Sequence, residues 1–134
     1  SLYDAQDNLS VSFDLSDDVP ALLLDADSIS RVLINLVKNA GEAASDNRSL
    51  TVNIATKYLP KQGIVSLSVA DDGDGFDEAL LDRVFEPYVT TKVKGSGLGM
   101  AIVQNIIEQH DGRIFAGNVV PHGAIITIEF DYKE

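Results

Sequence analysis

The chain has 134 residues, 45% of them hydrophobic, which suits one ordinary domain with a real core and leaves no room for a second. A net charge of −11 argues against a DNA or RNA partner, because affinity for a phosphate backbone comes from clustered Lys and Arg. The absence of cysteine excludes disulfides, thiolate catalysis and Cys-based zinc sites. No run approaches the roughly twenty apolar residues of a transmembrane helix and no signal-peptide pattern opens the chain, so a soluble protein is expected.

In chain order, Leu9 to Leu15 alternates apolar and polar residues as a half-buried strand does, and Leu22-Leu23-Leu24 reads as a second short strand beyond Pro20. Asp25 or Asp27 is placed to cap a helix whose apolar residues Ile29, Val32, Leu33, Leu36, Val37, Ala40 and Ala44 keep the helical period. Leu50 to Tyr58 and Ile64 to Ala70 alternate like paired strands around a turn at Pro60 to Gly63. Asp77 to Val84 reads as a short helix, and Leu98 to Gln109 as a longer one ended by Gly112. Arg113 to Gly117 and Ala124 to Phe130 read as a closing hairpin, turned near Pro121-His122-Gly123. This order predicts an α+β fold, a two-layer α/β sandwich with one mixed sheet and helices on one face.

Three segments carry chemistry. Asn35 and Asn39 share one helix face, one turn apart, with Arg31 and Glu42 on the same stripe. A solvated polar stripe is the plain alternative, but Asn is a poor helix former, and the oxygen of Asn39 suits a hard cation such as Mg²⁺. Asp71-Asp72-Gly73-Asp74-Gly75-Phe76 sets a carboxylate among glycines, where backbone can approach the edge of a flat heterocycle. A calcium loop fails on spacing: with Gly75 as its sixth residue, Ala70 and Leu81 stand where acids are needed. An ordinary Asp-Gly turn remains the plain alternative. Gly95-Ser96-Gly97-Leu98-Gly99 opens an apolar helical segment whose free amides and dipole can receive phosphate. It is neither a dinucleotide fingerprint nor a P-loop, and a hinge is its plain alternative. Together the segments provide for base, metal and phosphate. An acidic chain that binds an anionic nucleotide needs local positive potential, and Lys92 and Lys94 are available beside these amides.

With these residues the chain resembles the ATP-binding catalytic domain of bacterial sensor histidine kinases, in the wider group of gyrase, MutL and heat-shock chaperone ATPases that share the Bergerat fold. Asn35 to Ala40 is similar to the N box, Asp71 to Gly75 to the first glycine box, and Phe85-Glu86-Pro87-Tyr88-Val89-Thr90-Thr91-Lys92 to the F box. Gly95 to Val103 is similar to the second glycine box, and the short Thr-Thr-Lys lid most resembles the nitrogen-regulation kinases of the NtrY and NtrB type. The resemblance spans nearly the whole chain. It implies ATP and Mg²⁺ as cofactors, with Asp71 on adenine and Asn39 on the metal. Asn35, Asn39 and Lys92 would serve catalysis, and Gly73, Gly75, Phe76, Gly95, Ser96, Gly97, Leu98 and Gly99 would line the nucleotide. A lid over Tyr88 to Gly95 would move.

Two departures stand out. Glu42 occupies a position where many such kinases carry Lys or Arg, making Lys92 the substitute phosphate contact, and Phe76 replaces a commoner aliphatic residue as the apolar wall near the base. His110 and His122 lack the His-Glu or His-Asp setting of a phosphoacceptor, so residues 1–134 read as an excised catalytic domain without its dimerisation and phosphoacceptor hairpin. Its partners would then be ATP, that histidine-bearing domain of the parent kinase and, through it, a response regulator. No nucleic acid and no direct membrane contact are expected, and the domain would be cytoplasmic whether the parent is free or anchored in the inner membrane. The rival readings are a self-contained ATPase, an anti-sigma-type serine kinase and an inactive nucleotide-sensing module. The ATPase relatives use a glutamate where Asn35 stands to activate water.

Overall fold

A computed structural model of the chain describes residues 9–41, 49–87 and 99–132. Ala44, Glu42, the segment from Tyr88 to Leu98 with Lys92, Lys94, Gly95, Ser96 and Gly97, and the expected lid lie outside the described residues. Among the described residues, five strands and two helices follow in the order β1 Leu9–Leu15, α1 Ala26–Gly41, β2 Leu50–Leu59, β3 Ile64–Asp71, α2 Gly99–Gln109, β4 Arg113–Asn118 and β5 Ala124–Asp131, with a 3₁₀ helix Glu78–Arg83 between β3 and α2. The sheet order is β1-β2-β3-β5-β4, parallel between β1 and β2 and antiparallel elsewhere, which makes the sheet mixed. The parallel pair needs a crossover, and α1 supplies it.

Period-2 alternation places Leu50, Val52 and Ile54 of β2 on the same face as Val69 of β3 and Ile126, Ile128 and Phe130 of β5. Against that face pack Val32, Leu36, Val37 and Ala40 of α1 and Met100, Val103, Ile106 and Ile107 of α2, all in one buried cluster. Val32, Val103 and Ile107 are wholly buried. The opposite face carries Ser12, Thr51, Asn53, Ser66, Ser68 and Thr127, small polar residues that need no covering layer. The two-layer arrangement expected from the sequence is therefore the one observed. At the β1 edge only Leu9 and Val11 reach the core, while Phe13 and Leu15 stay exposed.

Leu22-Leu23-Leu24 is not a strand. Leu22 and Leu24 pack against the core and Leu23 points fully into solvent, so the alternation is real, but the segment runs from β1 into α1 without joining a ladder among the described residues. An alternating pattern reports which side chains face inward, not whether a ladder exists. The segment expected as a short helix after Asp77 is 3₁₀, capped by the Asp77 carboxylate accepting from the Ala79 amide. The end of α2 also differs in detail. Asp111 takes the left-handed position at φ 59°, while Asp111 N–H donates to Glu108 O and Gly112 N–H to Ile107 O, the bonds of a Schellman motif. Gly112 is instead needed for contact, since a Cβ there would meet Phe130 Cε1 at 2.8 Å and Ile107 Cγ2 at 2.9 Å.

Asp25 is the cap of α1. Its Oδ2 accepts from the Ser28 amide at 3.1 Å and from Ser28 Oγ at 2.5 Å, and its own amide donates to His110 Nε2 at 3.2 Å, tying the start of α1 to the end of α2. The Ser28 hydroxyl first, then the Ser28 amide and the nearby His110, hold the Asp25 carboxyl below its ordinary value of 3.8. A depressed carboxyl contributes its stability above the unfolded pKa and loses it as pH falls through the folded one. Asp25→Ala is expected to lower the melting temperature by a few degrees at neutral pH, with the gap closing only below the ordinary value of 3.8. A gap absent at neutral pH would show that the cap contributes nothing.

Candidate functional site

Where β3 ends, Asp71 is buried, the only charged side chain so placed among the described residues. Burying a carboxylate is costly unless hydrogen bonds offset it. Asp71 Oδ1 accepts from the Gly73 amide at 2.8 Å and from the Ala124 amide at 3.3 Å, so one oxygen is fixed by the loop that follows it and by the first residue of β5. The neighbouring acid closes the loop onto the start of β2, with Asp72 Oδ1 accepting from the Thr51 amide at 2.8 Å and the Asp72 amide donating to Thr51 O at 3.2 Å. Gly75 adopts φ 81°, and a Cβ on it would stand 2.9 Å from Asn118 Oδ1, so both its dihedral and its surroundings require glycine. Phe76 packs against the edge of the core.

Asn35 and Asn39 lie on α1, both half-buried, where the helix packs on β2, β3 and α2. Asn39 Nδ2 lies 3.6 Å from Met100 Sδ, which joins the asparagine face of α1 to the first turn of α2. Gly99 begins α2, a Cβ there would meet nothing within 4 Å among the described residues, and the first turn carries no acidic side chain. The structure thus gathers Asp71, Gly73, Gly75 and Phe76 into one loop at the end of the sheet and joins Asn39 to the start of α2. Lys92, Gly95, Ser96, Gly97 and Leu98 lie outside the described residues.

From sequence, Asn118 to Ala124 reads only as a strand end and a turn, yet in the structure this segment closes on the loop. Phe76 N–H donates to Asn118 Oδ1 at 2.7 Å, Asn118 Nδ2 donates to Phe76 O at 3.0 Å, and His122 Nδ1 is 3.1 Å from Gly73 O. Gly123 sits at φ 125°, its chain so close to β3 that a Cβ would overlap the Asp71 carbonyl oxygen. The glycine is visible in the sequence as a turn former, but nothing local announces its contact with Asp71. His110, which lacks a phosphoacceptor setting in the sequence, ties two helices together: its Nδ1 bonds to Ile106 O at 2.8 Å while Nε2 accepts from the Asp25 amide.

Known proteins share this sequence pattern and fold. The chain is 38% identical over 128 residues to a Rickettsia felis protein named as an NtrY-like sensor histidine kinase, covering 96% of this chain and 21% of that one. The chain thus spans about a fifth of the length of that curated relative. Among solved structures, the nucleotide-free catalytic domain of histidine kinase ThkA superposes with a TM-score of 0.78 at 30% identity, over 97% of this chain and 88% of that one. A complex of ThkA with the response regulator TrrA superposes at 0.75 and 27% identity, over 98% and 38% of the two chains. Full-length ShkA in complex with AMPPNP superposes at 0.77 and 28% identity, over 93% and 26%. Residues 24–134 match the family described as histidine kinase-, DNA gyrase B- and HSP90-like ATPases, whose common function is ATP binding, and the chain belongs to that family.

Proposed function

We propose that this domain binds Mg²⁺-ATP between α1, the Asp71–Phe76 loop and the start of α2, and donates the γ-phosphoryl group to a histidine on the dimerisation domain of a two-component sensor kinase. A response regulator would then receive the phosphoryl group from that histidine. The observation that carries the reading is the Asp71 carboxylate, buried and held by two backbone amides at the rim of the sheet. Such a group is pre-set to accept a hydrogen bond from the exocyclic amino group of adenine, with Phe76 as an apolar wall. Gly99 opens α2 with no acidic side chain in its first turn, which favours an anionic phosphate at that helix N-terminus.

The donor set fits Mg²⁺ brought in with the nucleotide. Among the described residues no group of three or more His, Cys, Asp and Glu can hold a metal, and Mg²⁺ commonly relies on substrate phosphates and water with one or two protein oxygens. Asn39 directs its Nδ2 toward Met100, and its amide oxygen is the hard donor this chain would contribute. When bound, the ion would neutralise phosphate charge. The chain's own part is to orient: Asp71 fixes the base, and Asn35, Asn39, Lys92 and the Gly95-Ser96-Gly97-Leu98-Gly99 amides set the phosphates in line with the incoming histidine nitrogen. That nitrogen attacks the γ-phosphorus, the bond to the β–γ bridging oxygen breaks, and ADP leaves.

Asn35 stands where a water-activating glutamate would make a self-contained ATPase, so fast hydrolysis is not expected. This reading makes the chain a cytoplasmic catalytic module of a longer kinase. Radiolabelled ATP should leave the isolated domain unlabelled and label a separately supplied histidine hairpin of the parent kinase in an acid-labile, alkali-stable form. Rapid phosphate release by the lone domain, or acid-stable label on a partner's serine, would overturn it.

A further inference from the structure

The β4–β5 hairpin holds the Asp71–Phe76 loop at the Phe76 and Gly73 backbone and at the Asp71 carboxylate. Asn118 at the end of β4 presents its amide to Phe76 as a neighbouring strand would present a peptide group, accepting from the Phe76 amide at 2.7 Å and donating to the Phe76 carbonyl at 3.0 Å. His122 Nδ1 lies 3.1 Å from Gly73 O, and the Ala124 amide donates to Asp71 Oδ1 at 3.3 Å. The Val119 amide closes the turn on Gly123 O at 2.9 Å. The tie matters because the held loop contains Gly73 and Gly75, and glycine-rich backbone has many conformations to lose. The fit between loop and turn is specific, since Asn118 Oδ1 fills the volume a Cβ on Gly75 would take.

We infer that Asn118 is a positioning residue for recognition of the nucleotide base: by fixing the Phe76 backbone it presents the Phe76 ring and the Asp71 carboxylate together, as the wall and the edge of one base site. The inference rests on the nucleotide reading and adds a residue that touches neither base nor phosphate. Asparagine suits this role because its planar amide supplies an acceptor and a donor on one short side chain. Aspartate keeps the acceptor for the Phe76 amide but sets a second acceptor against the Phe76 carbonyl.

The test is calorimetric titration of Mg²⁺-ATP, Mg²⁺-GTP and inorganic tripolyphosphate with Mg²⁺ into the unmodified chain and Asn118→Ala. A loop freed from two hydrogen bonds is expected to weaken ATP binding by about 10-fold, with tripolyphosphate unchanged and the preference for ATP over GTP reduced by a similar factor. Asn118→Asp should fall between the two, and it carries the same comparison if the alanine variant does not fold. Equal weakening of ATP and tripolyphosphate would make Asn118 a general stabiliser and overturn the inference, as would unchanged ATP affinity. If the unmodified chain binds no ATP, the nucleotide reading itself fails. If it binds ATP and only the expected selectivity loss is missing, the role of Asn118 alone fails.

Discussion

Gly123→Ala is expected to destabilise the protein by roughly 3 kcal/mol or more. The residue sits at φ 125°, which L side chains rarely adopt, and an added Cβ would overlap the Asp71 carbonyl oxygen, a backbone atom at the end of β3. A flexible side chain could swing aside, but a carbonyl anchored in a sheet can move only by shifting its strand. Native stability is on the order of 5–15 kcal/mol, so the loss is a large share of the total. Urea denaturation measures it. A change below about 0.5 kcal/mol, the range of an ordinary surface substitution, would mean the turn does not sit against β3 as described.

Asp71→Asn should have the largest effect on binding. Asparagine can keep an oxygen where Oδ1 accepts from the Gly73 and Ala124 amides, so the loop retains its anchor and the fold its core. In the proposed base site the other end of the group would become a donor set against the donor on adenine. Losing a hydrogen bond to a charged acceptor costs about 1.5–3 kcal/mol, which corresponds to a loss of ATP affinity on the order of 10- to 100-fold. Melting temperature and affinity should therefore separate, the first little changed and the second much reduced. An Asp71→Asn variant that binds ATP like the parent would remove Asp71 from the base site.

Much of the fold is legible in the chain because its signals are local. The spacing of Ile29, Val32, Leu36 and Val37 marks α1, and alternation through Leu50–Leu59 and Ala124–Asp131 marks strands buried on one face. The Asp71–Phe76 loop is equally legible, since its carboxylate and glycines are adjacent in sequence. What stays hidden is tertiary. Asn118 and Phe76 are 42 residues apart, and no local pattern says that a hairpin turn will clamp that loop. Gly112 looks like the left-handed end of α2, yet Asp111 takes that dihedral while Gly112 makes room for Phe130 and Ile107. Leu22-Leu23-Leu24 alternates like a strand but joins no ladder among the described residues. In each case the sequence shows a residue's preference and the fold decides how it is used.

Asp71 and its clamped loop, read as an adenine site, are tested most directly by calorimetric titration of Mg²⁺-ATP and Mg²⁺-GTP into the unmodified chain. Adenine presents an amino group to the carboxylate where guanine presents a carbonyl. ATP is expected to bind in the micromolar to millimolar range, about −4 to −8 kcal/mol, with GTP weaker by at least about 10-fold. Equal affinity for the two nucleotides would contradict an adenine site at Asp71.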